Sequence, residues 1–312
     1  MHGIRDGVWP TMVTPFTPRN KVDYPCLELL IEWYISHEVD GLFAVCQSSE
    51  MFFLSLDERV ELASRVVRQV AGRLQVIASG HISDAIDEQS VELLRMAETG
   101  VDALVIITNR FSDNGSDSAW QNACESLITG LPSHIPLGIY ECPYPHRRDL
   151  TPELLSWCVT TDRFVFLKDT CSDQAIIEKK LAAIEGTGLK LFNANSATLL
   201  ESLKNGASGY SGVMANFHPQ LYRWLVENWM SSPAESEDLH SFLTVASLIE
   251  RQNYPTNAKY YLNREGLPIR LDTRKPGGGS LTPSQKLEIE QLRNMSVKAD
   301  RRMRSKSPRT GP

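Results

Sequence analysis

What this sequence lacks narrows its chemistry first. No uninterrupted apolar run exceeds about five residues, as in Ala103 to Ile107. That is far short of the roughly 20 needed to cross a bilayer, so no transmembrane helix is expected. The N-terminus, MHGIRDGVWP, has no basic stretch followed by an apolar one, so no secretory leader is expected and the protein should stay in the cytoplasm. Six cysteines (Cys26, Cys46, Cys124, Cys142, Cys158, Cys171) stand 13 to 78 residues apart, with no C-x-x-C pair and no Cys/His cluster of zinc spacing. This is the pattern of a reducing compartment rather than of a disulfide scaffold or a zinc module. Neither G-x-G-x-x-G nor G-x-x-x-x-G-K-[ST] occurs, which removes the usual signatures of dinucleotide and P-loop sites.

Charge excludes a further class. The 312 residues hold 32 Lys and Arg against 38 Asp and Glu, a net charge of −6. The last seventeen, Ser296 to Pro312, carry six basic residues and one Asp, which leaves −11 on the rest. An acidic body offers no cationic face for phosphates, so neither nucleic acid nor a membrane is expected as a partner. The tail, rich in Ser, Pro and Lys/Arg, reads as a disordered extension.

With 42% hydrophobic and 22% charged residues, the chain is an ordinary globular one with material for a large core. Short β-rich runs alternate with segments of helical period. The candidate strands are Val8 to Thr14, Gly41 to Val45, Gln75 to Ser79, Ala103 to Thr108, Pro136 to Tyr140, Phe164 to Leu167, Leu189 to Asn193 and Gly209 to Val213. Several are apolar throughout, the mark of parallel strands buried on both faces. Helix starts are readable between them, in the capping box Ser55-Leu56-Asp57-Glu58 and in Thr151-Pro152-Glu153. Eight such units favour a (β/α)8 TIM barrel over an open doubly wound sheet. Only helical patterns follow, giving an expected division into a barrel over 1–218, a C-terminal helical extension over 219–295 and the basic tail over 296–312.

In such a barrel the chemistry sits at the C-terminal ends of the strands. Lys168 follows Phe164-Val165-Phe166-Leu167. There, partial desolvation would lower its pKa and leave a neutral amine able to form a Schiff base with a ketone; a lysine snorkelling past a strand end is the plainer alternative. Tyr140 ends strand five and could move a proton over the same mouth. Gln47-Ser48-Ser49-Glu50 follows strand two with short polar groups suited to a carboxylate. Arg110, His81, Glu141, Thr170 and Asn195 lie at other strand ends. No His-x-His or carboxylate cluster does, which leaves a metal-dependent hydrolase little support.

Taken in order and at barrel spacing, PTMVTPF from Pro10, Ser48-Ser49-Glu50, Tyr140-Glu141-Cys142-Pro143, Phe166-Leu167-Lys168-Asp169-Thr170, GYSGVMAN from Gly209 and KYYLNREGL from Lys259 resemble the pyruvate-dependent class I aldolases that include dihydrodipicolinate synthase and N-acetylneuraminate lyase. The resemblance covers about residues 5 to 295. It implies an imine-forming lyase acting on pyruvate or a related 2-oxo acid, with Lys168 as nucleophile and Tyr140 as acid/base. Gln47, Ser48, Ser49, Thr170, Ser211, Asn216 and Arg110 would bind substrate. It implies no metal or organic cofactor, and a homo-oligomer, dimer or tetramer. A 2-keto-3-deoxy sugar acid dehydratase of the same family, or a paralogue that binds 2-oxo acids without turnover, would share these residues.

The sequence also departs from the family. Its carboxylate turn usually reads Gly-Thr/Ser-Thr-Gly-Glu, against Cys46-Gln47-Ser48-Ser49-Glu50 here. The loop after strand four, Thr-Pro-Tyr-Tyr in the synthases, is Thr108-Asn109-Arg110-Phe111. The arginine placed five residues after the strand-five tyrosine is Pro145. The Asp-Glu pair that grips sugar hydroxyls in sialic acid lyases is replaced by Ser196 and Ala197. These changes argue against lysine biosynthesis and against sialic acid as substrate.

Overall fold

The eight apolar runs become eight parallel strands wrapped into a TIM barrel. The computed structural model describes residues 3–111 and 115–306, so the last six residues of the basic tail lie outside the described residues. In chain order the barrel runs β1 (Gly7–Val8), α1 (Tyr24–Ser36), β2 (Gly41–Val45), α2 (Leu56–Val70), β3 (Gln75–Ala78), α3 (Ile86–Ala97), β4 (Ala103–Ile107), α4 (Asp117–Thr129), β5 (Leu137–Tyr140), α5 (Pro152–Thr160), β6 (Phe164–Asp169), α6 (Gln174–Ile184), β7 (Lys190–Asn193), α7 (Leu199–Lys204), β8 (Gly209–Tyr210) and α8 (Pro219–Asn228). Each strand pairs in parallel with the next from β2 to β8, β8 pairs with β1, and a parallel bridge between Thr11 and Phe43 joins β1 to β2.

Two strands are shorter than their sequences suggest, for local reasons. Pro10 has no N–H to give a ladder, so past Val8 the chain pairs irregularly, through Phe43 N–H to the Pro10 carbonyl at 3.0 Å and Met12 N–H to the Phe43 carbonyl at 3.1 Å. At the closure of the barrel Gly209 has φ +152°, and a Cβ there would stand 1.9 Å from the Gly7 carbonyl oxygen. Only glycine allows β1 and β8 to approach so closely. The barrel interior is filled by Trp9, Phe43, Phe166 and Phe192, all fully buried, with Phe166 and Phe192 stacked 4.6 Å apart. This aromatic plug forms a rigid floor beneath the strand ends.

The extension comprises α9 (Pro233–Ala246), a 3₁₀ turn over Ser247–Arg251, α10 (Thr256–Arg264) and α11 (Pro283–Lys306). Two expected boundaries shift. Helix α8 packs on β1 and β8 and is the barrel's eighth helix, so the barrel extends past residue 218. Residues 296–306 are not a disordered tail but the second half of α11. Their Lys, Arg, Ala and Met are good helix formers. Ser296 and Met303 are buried, the Ser296 hydroxyl lies 3.0 Å from His218 Nδ1, and Arg302 pairs with Asp238 of α9 at 2.6 Å. The basic charge faces acidic partners instead of solvent alone. Among the described residues no helix is long and apolar enough to cross a membrane.

Candidate active site

Strand alternation places the chemistry of β5 and β6. Along β6, Phe166 and Lys168 point into the barrel while Asp169 points out toward α6, as the two-residue period requires. Lys168 is thus part of the strand, one residue inside its end. Tyr140 is its register partner on β5, and the ammonium nitrogen lies 4.6 Å from the Tyr140 ring centroid and 5.8 Å from that of Phe43. Among the described residues Lys168 Nζ makes no hydrogen bond or ion pair. Burial disfavours its charge and lowers its pKa to about 8. The same burial holds the Tyr140 phenol well above its ordinary range, so it stays protonated. Its hydroxyl donates a long bond, 3.4 Å, to Gln47 Oε1.

Behind this pair, on the outer face of the same strand ends, lies a fully enclosed ionic cluster. Lys180 of α6 reaches Glu141 Oε1 and Oε2 at 2.6 and 2.8 Å and Asp169 Oδ2 at 2.6 Å, with all three side chains inaccessible. Glu141 follows Tyr140 and Asp169 follows Lys168, so one cation ties together the two strand ends that carry the site. Burial raises the Glu141 pKa, against the pull of Lys180 and with the help of Asp169.

The turn after β2 is a 3₁₀ turn over Gln47–Ser49. Ser49 holds it shut from within, its hydroxyl accepting from Cys46 N–H at 2.8 Å and donating to the Cys46 carbonyl at 2.7 Å. Ser48 donates to Thr11 Oγ1 at 3.1 Å. Glu50 then takes a left-handed conformation, φ 62°, and its carboxylate receives the extension: Lys259 Nζ at 2.7 Å, Thr273 Oγ1 at 2.6 Å, and the backbone N–H groups of Arg274 and Lys275 at 2.6 and 3.1 Å. Both the turn and the strap that covers it are therefore fixed by one buried acid.

These elements enclose a cavity of about 660 Å³, the size of a small-molecule site. Lys168, Tyr140, Gln47, Ser48 and Thr170 line it, as the sequence suggests. Four expected substrate-binding residues are not among the groups lining it. Ser49 braces its own turn. Ser211 donates to the Trp9 carbonyl at 3.0 Å and ties β8 to β1. Asn216 is spent on Tyr34 at 2.5 Å, the Thr11 and Val213 carbonyls at 2.9 Å and Tyr254 at 3.2 Å. Arg110 pairs with Asp84. His81 is also excluded, buried between Gln89 and Ile107 N–H and kept neutral by a pKa lowered to about 4. Asn195, at the end of β7, does line the cavity, whereas Glu141 is the outer-face acid described above.

Residues that the strand-end rule does not reach complete the lining. Phe52 and Tyr144, ring centroids 4.8 Å apart, stand on the loops after β2 and β5. Glu250, Arg251, Tyr254 and Lys275 come from the extension. The run Glu250-Arg251-Gln252-Asn253-Tyr254 interrupts the apolar stripe of α9 with polar groups, which is the one local hint of them.

A model of the dihydrodipicolinate synthetase family matches residues 5–295. The 4-hydroxy-tetrahydrodipicolinate synthase of Pseudomonas savastanoi pv. phaseolicola is 25% identical over 272 residues, covering 87% of this chain and 88% of that one. The solved synthase of Methylacidiphilum fumariolicum superposes with a TM-score of 0.85 at 21% identity, over 96% of this chain and 98% of that one. A prophage protein of E. coli K12 from the dihydrodipicolinic acid synthase family, solved with pyruvate, gives 0.83 at 22% identity, over 94% and 98%. With a family match across almost the whole length and the barrel common to these structures, the chain belongs to the dihydrodipicolinate synthetase family.

Proposed function

We propose that the protein is a Schiff-base class I aldolase or lyase acting on pyruvate or another 2-oxo acid. The observation that carries this reading is Lys168: a lysine facing a cavity, buried, without a counter-ion among the described residues, and titrating at about 8. At neutral pH about a tenth of it is then neutral amine, far more than for an exposed lysine. The amine adds to the C2 carbonyl of the acid, and the phenol of Tyr140 supplies the proton that the carbinol oxygen needs to leave as water. The iminium accepts the electron pair of a neighbouring C–C bond. Gln47, Ser48 and the phenol of Tyr254 surround the place for the substrate carboxylate, with Thr170 beside the nucleophile.

The replacements at Phe111, Pro145, Ser196 and Ala197 direct the reading away from dihydrodipicolinate synthesis and sialic acid cleavage. Phe111 packs on Trp120, ring centroids 5.4 Å apart, and is not among the residues lining the cavity. A cytoplasmic setting is supported by six cysteines that are all free and buried. A homo-oligomer is supported by the exposed Val245, Leu248, Leu287 and Met295 of the extension.

Borohydride reduction with a panel of 2-oxo acids, followed by peptide mass mapping, tests the reading. An adduct on Lys168 is expected with pyruvate or a close relative. No adduct with any member of the panel would overturn the mechanism, and tight binding unchanged in Lys168→Ala would indicate a protein that binds without turnover.

A further inference from the structure

Two carboxylates line the cavity, Glu50 and Glu250. The first is saturated by four donors from the extension. The second, half-buried on the 3₁₀ turn Ser247–Arg251, has no side-chain hydrogen bond or ion pair among the described residues. A half-buried carboxylate that faces a cavity and has no protein partner is free to accept from a ligand there. Other polar groups on that side are already engaged: Thr170 donates to the Glu141 carbonyl at 2.6 Å, Asn195 donates to Ser172 at 3.0 Å, and Lys275 Nζ donates to the Tyr254 carbonyl at 2.9 Å. The proton donor of the imine end, Tyr140, is held beside Lys168 by Gln47. Among the described residues Glu250 is thus the carboxylate of the lining that no protein group engages.

We propose that Glu250 is a catalytic general acid–base for the far end of the substrate, serving the hydroxyl at C4 of a 4-hydroxy-2-oxo acid. The assignment rests on the Schiff-base reading given above. In the cleavage direction the carboxylate of Glu250 takes the C4 hydroxyl proton. The O–H electron pair becomes the second bond of the aldehyde carbonyl, and the C3–C4 bond breaks. Its pair forms the C2–C3 double bond as the iminium π pair moves onto the nitrogen of Lys168. Water then protonates the enamine at C3, the hydroxide left behind takes the proton from Glu250, and a second water hydrolyses the imine, returning a proton to Tyr140 and releasing the 2-oxo acid and the free lysine. In the condensing direction protonated Glu250 returns its proton to the new alkoxide.

The charges around Glu250 suit both roles. Lys168 of β6 and the adjacent Arg251 favour the carboxylate, while burial opposes them and prevails, raising its pKa. The phenols of Tyr210 on β8 and Tyr222 on α8, within its electrostatic reach, are neutral. The group can therefore change its protonation state as the positive iminium forms and is consumed.

Two reactions separate the ends of the site. Exchange of the pyruvate methyl hydrogens in D₂O needs the imine and a proton relay but breaks no C–C bond; cleavage of 4-hydroxy-2-oxo acids bearing carboxylate, polyol or aryl groups at C4 needs both ends. In Glu250→Gln, exchange and borohydride trapping on Lys168 should stay within about twofold, while kcat for cleavage falls by about 10²–10⁴ with KM little changed. Glu250→Asp should recover part of the loss, and the acid limb that Glu250 adds to the kcat profile for cleavage, with Lys168 already held as the imine, should vanish in Glu250→Gln. Unchanged cleavage in that variant would overturn the assignment. So would a parallel loss of exchange and cleavage, which would make Glu250 a structural residue. A wild type that exchanges pyruvate but cleaves no member of the panel would leave Glu250 no hydroxyl to serve and overturn it while sparing the imine; a wild type that neither exchanges nor traps pyruvate would remove the imine reading itself, and Glu250 with it.

Discussion

Replacing Lys168 with methionine should make the protein more stable, and only below a defined pH. An enclosed lysine that titrates at about 8 instead of its ordinary 10.5 costs the folded state about 3 kcal/mol at neutral pH, at about 1.4 kcal/mol per tenfold change in proton affinity. Below pH 8 the folded and unfolded chains both carry the ammonium, and the full cost applies. Between about 8 and 10.5 the unfolded chain binds a proton that the folded chain has released, so wild-type stability gains with rising pH in that window. Methionine is unbranched like lysine, shorter by one atom, and carries no charge. Lys168→Met should therefore exceed wild type by up to about 3 kcal/mol at pH 7, with the difference shrinking to zero near pH 10.5. Urea denaturation of both proteins at pH 7, 9 and 10.5, followed by circular dichroism, measures it, because the other titrating groups cancel in the difference. A variant less stable than wild type at pH 7, or a difference that does not change with pH, would refute the reasoning.

Two further expectations concern the buried ionic groups. Lys180→Met strands the Glu141 and Asp169 carboxyls in a space without water and should cost about 3–5 kcal/mol in chemical denaturation. Adding Glu141→Gln should recover part of that loss, and no recovery would mean that packing rather than charge is responsible. Glu50→Gln deprives the buried ammonium of Lys259 of its counter-charge and loosens the strap over Thr273 to Lys275. The pyruvate concentration needed for half-maximal borohydride trapping should rise at least tenfold, and an unchanged value would show that the strap does not shape the carboxylate end.

The residues legible in the sequence are those whose position follows from a local pattern. Lys168 and Tyr140 could be located because an apolar run that ends in a polar side chain marks a strand end, and the barrel geometry does the rest. Ser211 and Asn216 obey the same rule and are nevertheless structural. Whether a hydroxyl or amide at a strand end faces the cavity or its neighbours depends on the Trp9, Thr11 and Tyr34 groups beside it, which lie about 180 or more residues away in the chain. Glu250, Arg251 and Tyr254 were out of reach for a related reason. The extension shows its helices in its periodicity, but the face it lays over the barrel mouth is fixed by Glu50, Lys259 and Arg274. The tail misled through composition, since charges that look solvated in sequence find Asp238 and Asp300 as partners in space.

The clamp on Glu50 also sets an order on how the molecule is made. The acid leaves the ribosome well ahead of its partners Lys259, Thr273 and Arg274, which follow 209 to 224 residues later. A nascent chain can assemble most of its β–α units from contacts between neighbours in sequence before then, since such contacts close with little loss of chain entropy. The roof of the cavity waits for the segment from Glu250 to Pro276. A chain stalled on the ribosome before Lys259 should thus hold a largely formed barrel with Lys168 open to water, and the enclosed cavity becomes a signature of translation past the strap.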